Sequence, residues 1–419
     1  MLLYHKRIPI FFPTINFFII FLLFIVSFWP KSVLSKDIDI STWYNFNTNK
    51  QYFNHRNQNL YLDNSVGLRL EKYDNKSIQN ITLNFTKNGK FSFDQSHLKY
   101  KINNTTIGIG KIHRNWSFSP ITSLILSNNA RPSDSVFINM NAEKKPNNPL
   151  FSWIGPWSIE GFNSILSGNN IPKNAMLLGV RILFEPVNNL KFELVKTSQW
   201  GGKGYPRNLS SLSSALIGNT NENKNSNINQ LAGFGFSYKF NEENSPYRIY
   251  GQFIGEDEAG NLPSCYMHLL GTELISSKTK YATKVGFEYV DTRIDRTTHG
   301  FCGPNTAYNN GIYAYTNYDI SMGAPIDTEG KSLNLWGETQ IIDNIKINYS
   351  LKNLIINDSN WSNHRLSSSR KHGWQTDFGI SWKKEFLSFK SNITFQNFKT
   401  EKNHRTKGLI FNITTIYGF

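Results

Sequence analysis

Apolar residues return at every second position along most of this chain. Val66, Leu68 and Leu70 do so, as do Ile81, Leu83 and Phe85, then Leu98, Tyr100 and Ile102. The pattern continues through Met176 to Phe184, Leu190 to Leu194, Phe234 to Phe240, Tyr281 to Tyr289, Ile345 to Leu351, Phe378 to Trp382 and Leu387 to Phe395. A period of two places one apolar face on an extended strand. Turn-forming clusters separate the runs: Asp74-Asn75, Asn88-Gly89, Asn103-Asn104, Pro186 to Asn189, Asn241 to Pro246 and Ile342-Asp343-Asn344. Asn88-Gly89 is a strong hairpin signal. The last run, Gly408 to Phe419, puts Phe411, Ile413, Tyr417 and Phe419 on one face and ends on an aromatic, like the assembly signal of outer-membrane barrels. Two stretches break the alternation. Ile159, Phe162, Ile165 and Leu166, with Gly168 beyond them, predict a short amphipathic helix near 158–168; Leu209, Leu212, Leu216 and Ile217, before Gly218, predict another near 207–218. Among strands, such helices need a surface to pack on, and a plug or a cap at one mouth supplies it. The Asn-rich stretch 219–229 reads as a loop.

The first 35 residues differ from the rest. Lys6 and Arg7 precede a nearly continuous apolar run from Ile8 to Trp29, and Val33 and Ser35 suit the −3 and −1 positions of a cleavage site. Residues 1–35 therefore read as a secretory signal and 36–419 as the mature barrel. An uncleaved anchor is the alternative, because the apolar run is long. No second run is long enough to span a bilayer as a helix. A membrane position then requires a closed barrel, the other fold that satisfies every backbone group in lipid.

Composition sharpens this picture. An apolar share of 39% and a charged share of 18% are lean for a packed soluble core. A barrel with lipid outside and water inside needs only alternate apolar residues. The aromatic share of 14% suits membrane interfaces. The formal charge of +15 falls to near +12 once Lys6, Arg7 and Lys31 leave with the signal. That excess favours anionic partners such as lipid headgroups or acidic polysaccharide, or else marks a solvated basic surface. No basic run interleaved with aromatics points to nucleic acid. Cys265 and Cys302 would meet an oxidising compartment after export, and they form either a disulfide between neighbouring loops or two separate thiols. Their spacing to histidines suggests no metal site.

Four irregular segments, rich in Gly, Trp, Pro and polar groups, stand apart: Leu124 to Pro132, Ile154 to Ser158, Gln199 to Pro206 and Gly255 to Ser264. With Leu178 to Pro186 leading into Gln199-Trp200-Gly201-Gly202, and Gln230 to Phe234 preceding the acidic segment, their order resembles the capsule-assembly Wzi family of bacterial outer membranes. Tyr205 departs from the pattern, which has a basic residue before the proline. The resemblance implies an all-β fold, a transmembrane antiparallel barrel of about eighteen strands, with short helices plugging or capping the lumen and a small helical element near the periplasmic mouth. It implies a lectin-like role that holds capsular polysaccharide at the cell surface, with no enzymatic activity and no cofactor. The expected partners are anionic surface polysaccharide, outer-membrane lipid and the barrel-assembly machinery, and a monomer is expected. A diffusion porin or uptake channel is the alternative.

The residues offer their own chemistry. Glu256, Asp257 and Glu258 place carboxylates alternately on the two faces of a strand. They would accept hydrogen bonds from sugar hydroxyls, hold a divalent ion, or fix loops to the wall. Trp200 beside two glycines suits a platform for the C–H face of a sugar, or packs on the helix that follows. Arg131 and Arg207 could grip uronate or pyruvyl carboxylates through paired N–H bonds, with internal pairing of Arg131 to Glu256 or Glu258 as the rival. Trp153 and Trp157, near Pro156, read as interfacial or core aromatics rather than ligands. His299 near Asp291 and Asp295, and His113 near Lys111, leave an assembled triad open, but no Gly-x-Ser-x-Gly elbow is present.

Overall fold

Antiparallel strands follow one another in sequence around a cylinder. The computed structural model describes residues 38–48, 64–86, 89–217, 228–240, 246–259, 262–276, 282–294, 302–401 and 407–418. The signal segment 1–35, Asn88, most of the stretch 219–229, His299 and Phe419 lie outside them. The first strands are β1 (Ile38–Asn47), β2 (Ser65–Tyr73), β3 (Ser77–Thr86), β4 (Phe91–Ser92), β5 (His97–Ile102) and β6 (Thr105–Lys111). The middle holds β7 (Asp134–Ala142), β8 (Trp157–Ile165), β9 (Met176–Val187), β10 (Leu190–Trp200), β11 (Asn229–Phe240) and β12 (Tyr247–Ala259). Next come β13 (Leu262–Ser276), β14 (Thr283–Asp291) and a two-stranded ribbon of β15 (Thr316–Asn317) and β16 (Ile320–Ser321). The wall finishes with β17 (Lys331–Ile342), β18 (Ile345–Ile356), β19 (Lys371–Lys384), β20 (Leu387–Gln396) and β21 (Gly408–Gly418).

Nineteen of these segments form one sheet, and because β4 and β5 both lie against β3 they fill eighteen places. The last strand returns to the first, from Ser41 opposite Gly418 to Asn47 opposite Asn412. That closure removes the sheet edges that would otherwise offer unpaired backbone. Among the described residues, no helix is long and apolar enough to cross a membrane.

The alternation now has a direction. On β9, Met176, Leu178, Val180, Ile182 and Phe184 pair laterally with the outward residues of β10, whereas Arg181 pairs inward with Glu193. Outward apolar side chains such as Ile109, Val136, Phe234, Phe287, Leu335, Phe378 and Phe411 are exposed on the protein surface. So broad an apolar belt requires lipid around it. The turns joining β2 to β3, β5 to β6, β9 to β10, β17 to β18 and β19 to β20 are short, and both ends of the wall lie at that rim. Aromatics edge it: Phe240 stacks on Tyr247 at 4.2 Å, and Trp153 meets Phe184 edge-on at 6.0 Å. The opposite rim carries the long connections 112–133, 166–175, 201–228, 292–330 and 357–370.

The helices differ from expectation. The stretch 158–168 is not helical: Trp157–Ile165 is β8, with Phe162 buried inside and Ile159 and Ile165 directed outward. The stretch 207–218 does contain a helix, α1 (Leu209–Ile217). It starts on an Asn208 cap, whose Oδ1 accepts from Ser211 N at 2.9 Å while Asn208 N donates to Ser211 Oγ at 3.0 Å. This helix sits neither in the lumen nor at the short-turn mouth. Ser198 Oγ and Lys196 Nζ, on the outward face of β10, donate to its Ala215 and Leu216 carbonyls at 2.7 and 3.1 Å. The lumen is plugged instead by loops.

Candidate functional site

Two of the long connections turn inward and meet. In 112–133, Trp116, Leu124 and Ile125 are buried; in 302–330, so are Tyr308, Tyr313, Tyr315 and Ile326. They join wall residues such as Phe162, Val195, Tyr250 and Met267 in one apolar core inside the cylinder. The loops hold each other through Ser127 N to Met322 O (2.8 Å), Ser127 Oγ to Gly323 O (2.6 Å) and Tyr308 OH to Leu124 O (2.5 Å). The wall holds both. Gln252 accepts from Leu124 N at 2.8 Å and donates to Trp116 O at 2.5 Å, and Gln199 donates to Ala314 O at 3.0 Å. Cys265 at the start of β13 is disulfide-bonded to Cys302, with the Cα atoms 5.6 Å apart. Buried backbone in an irregular loop demands such partners.

At the edge of this plug lies a small cleft in which His113, Arg131, Ser133 and Asn317 meet apolar side chains such as Leu126, Phe162 and Met322. Arg131 donates to both oxygens of Asp94, at 2.8 and 3.0 Å, and its guanidinium lies 4.5 Å from the ring centre of Tyr318. The Arg131 side chain stays partly exposed while Asp94 is buried. Tyr318 and Asp319 form the turn between β15 and β16 with φ of +52° and +61°. Consecutive left-handed residues favour Asn-Gly there, so a tyrosine and an aspartate are held against preference. The hold is visible: Asp319 Oδ1 accepts from Asn169 N at 2.7 Å, and Oδ2 accepts from Asn169 Nδ2 at 2.8 Å. Burial, with the Arg131 charge added and the Asp94 charge opposing, pushes His113 down to about 4. It is therefore a neutral ring at physiological pH, beside a fixed cation.

The other residues nominated from the sequence fall elsewhere. Arg131 pairs with Asp94, and the side chains of Asp257 and Glu258 lie outside the described residues. Glu256 is buried at the end of β12 and accepts from Tyr308 N at 2.9 Å, so it anchors the plug. Asp257 and Glu258 lie opposite Ser264 and Pro263 in the ladder. Trp200 is only 4% exposed and faces the outside of the wall, where its Nε1 donates to Asn163 at 3.3 Å. It is no open sugar platform. Arg207 is exposed and donates to the carbonyls of Lys173 and Asn174 at 3.2 and 2.9 Å. The structure thus separates Arg131, Trp200, Arg207 and Glu256 rather than gathering them. Sequence reasoning missed Asp94 and Tyr318. No local signal marks Asp94 or the Tyr318-Asp319 turn.

A second charged group seals the plug from above. Arg365 pairs with both oxygens of Asp327, and His364 Nε2 lies 2.9 Å from Thr328 O. Burial alone would raise the Asp327 carboxyl, but the Arg365 charge and its hydrogen bonds outweigh it and hold the group below the ordinary value of 3.8. A depressed carboxylate contributes stability that is complete above the unfolded value and is lost as pH falls through the folded one. The plug should therefore loosen only below about pH 4. Protease cleavage within 302–330, followed against pH, should rise there and stay low at pH 5; cleavage already at pH 6 would contradict it.

The model of the family described as capsule assembly protein Wzi matches residues 39–408. An "uncharacterized 55.8 kDa protein in cps region" of Klebsiella pneumoniae is 31% identical over 206 residues, which are 49% of this chain and 41% of that protein. The match thus spans about two fifths of the relative's length. Among solved structures, the Escherichia coli outer-membrane protein Wzi, described as involved in group 1 capsule assembly and as a carbohydrate-binding β-barrel, superposes with a TM-score of 0.79 at 22% identity, covering 97% of this chain and 89% of that one. The outer-membrane protein OprD of Pseudomonas aeruginosa superposes at 0.52 with 10% identity, covering 91% and 92%. These two likenesses concern the fold.

Proposed function

This chain belongs to the capsule assembly protein Wzi family, and from that premise we propose that it is an outer-membrane, lectin-like barrel that binds acidic surface polysaccharide and keeps it at the cell surface during capsule assembly. The observation that carries this reading is a lipid-belted, closed wall whose long-loop mouth is filled with packed protein and faces outward with polar groups. In outer-membrane barrels the longer loops are extracellular, so that mouth would meet the capsule. The Escherichia coli relative's carbohydrate binding supports the ligand class.

Arg131, held by Asp94 and backed by Tyr318, sets a partly exposed guanidinium charge where a uronate carboxylate would meet it. The exposed Arg207 and other exposed side chains of the long loops would add weak contacts around the rim. A long polymer engages many such groups at once, so avidity gives retention without one deep pocket. No chemical turnover is part of this role. Lipid surrounds the belt, the barrel-assembly machinery would insert the wall, and one chain closes the barrel alone.

The test is binding of the host's own purified polysaccharide to the detergent-solubilised protein. Losing a charged hydrogen-bond donor costs about 1.5–3 kcal/mol, so Arg131→Ala should weaken binding about tenfold or more, with Arg131→Lys intermediate. Retained heat-modifiable migration on a gel would show the barrel intact. Equal affinity for the parent and Arg131→Ala would remove the cleft from the binding surface, and no binding by the parent would overturn the function.

A further inference from the structure

The helix α1 lies on the wall the wrong way round for a water-soluble surface. Ser211 and Ala215 face the barrel and are buried, while Leu209, Leu216 and Ile217 are 84%, 53% and 77% exposed. An amphipathic helix on a globular protein does the reverse. Its position on the wall explains the inversion. The outward column of β10 runs Phe192, Leu194, Lys196, Ser198, and it is flanked by Val180 and Leu178 on β9 and by Phe234 and Ala232 on β11. The column is apolar until Lys196 and Ser198, and those are the two residues that donate to the last carbonyls of α1. Helix C-terminal carbonyls carry partial negative charge, so α1 satisfies a lysine placed at the margin of the lipid belt. Around the helix start, Lys173, Lys203 and Arg207 are exposed. No ion pair to any of them is formed among the described residues.

We propose that α1 is an interfacial anchor that lies in the outer leaflet, with Leu209, Leu216 and Ile217 among acyl chains and Lys173, Lys203 and Arg207 beside phosphate-bearing headgroups. Continuity selects this occupant over a second protein: the exposed leucines prolong the lipid-facing belt of β9, β10 and β11, and the basic residues lie where the belt gives way to the long loops. A short helix with an apolar face and a basic margin takes this position in membranes, its apolar side about 5–10 Å into the headgroup boundary. The helix would fix the height of the barrel and keep the loop rim, with the cleft at Arg131, at a set distance from the lipid surface.

The experiment uses the whole protein, with its disulfide intact, in phosphatidylcholine–phosphatidylglycerol vesicles. An environment-sensitive fluorophore is attached at Leu216→Cys, and in a separate protein at Phe234→Cys in the middle of the belt. The Leu216→Cys probe should shift to the blue, resist iodide, and be quenched by lipids brominated near the top of the acyl chain more than by lipids brominated near its end. The triple variant Lys173→Gln, Lys203→Gln, Arg207→Gln should reduce that quenching, and added salt should do so in the parent. A water-like, iodide-quenched probe at Leu216→Cys, with the Phe234→Cys probe buried in lipid, would overturn the anchor and leave the membrane barrel standing. Shielding from both iodide and bromine would mean a protein cover and would also overturn it. Exposure of both probes to iodide would refute the membrane position and the anchor with it. Unchanged quenching in the triple variant would overturn the headgroup contacts.

Discussion

Replacing Lys352 with methionine is expected to cost the folded barrel about 3–5 kcal/mol, the typical loss when one partner of a buried ion pair is removed. Lys352 Nζ lies 2.5 Å from Asp377 Oδ2 on the inner wall, and the lysine side chain is 1% exposed. Ser350 and Thr394 donate to the same carboxylate at 2.8 and 2.7 Å, so one group ties β18, β19 and β20 together. Methionine fills the volume but strands the carboxylate, whose hydroxyl partners supply dipoles and no charge. The urea midpoint in detergent micelles should fall markedly. Adding Asp377→Asn should recover most of the loss, because the amide oxygen still accepts from Ser350 or Thr394 and carries no charge. If the single and double variants unfold alike, the pair contributes packing and not electrostatics. The same construction recurs around the lumen. Arg181 donates to Glu193, Arg248 to Glu273, and Arg114 to Glu160 beside the Phe162 ring. Each such pair joins one base to one acid, so the basic excess read from composition rests on other side chains, the exposed Lys173, Lys203 and Arg207 among them.

The wall was legible because lipid imposes a simple rule on every strand. Phe234, Phe236 and Tyr238 show it without interference, since the alternate positions on β11 are small or polar. The rule failed at β8 for a physical reason. Phe162 is apolar on the lumen side because Trp116 of the plug packs edge-on against it at 5.3 Å. With Ile159 and Ile165 facing lipid, apolar residues on both faces recur every third position and mimic a helix. The site was less legible because its contacts join distant segments. Arg131 reaches Asp94 in a region that showed only alternation, and Glu256 receives the amide of Tyr308. Trp200 misled for a related cause. Glycines beside a tryptophan suggest an open platform, yet Gly201 and Gly202, at φ +65° and +100°, turn the chain out of β10 toward α1, and Trp200 is buried on the outer wall.

Excising the inward loop should turn a sealed barrel into a conducting one. Asp291 and Lys331 face each other across the ladder, and Thr292 N donates to Gly330 O at 2.9 Å. Residues 293–329 can therefore be replaced by Asn-Gly, a two-residue hairpin turn that suits adjacent strands, with Cys265→Ser removing the thiol left by the loss of Cys302. The excision takes away Tyr308, Tyr313, Tyr315 and Ile326 from the lumen core. It also takes the Met322 and Gly323 carbonyls that hold Ser127, and the Tyr308 hydroxyl on Leu124. The second loop then loses its packing partner as well as its anchors. Barrels of 16–18 strands are wide enough for an aqueous channel when nothing fills them. In planar bilayers the parent protein should pass no large steady current, and the excised variant should pass one. A parent that already conducts steadily would favour an uptake channel over a sealed, glycan-holding barrel. A folded but silent variant would mean that the 112–133 loop closes the lumen without help. A current confined to the variant would show that loops build the plug and that the parent's lumen, below the mouth with Arg131 and Tyr318, is not a passage.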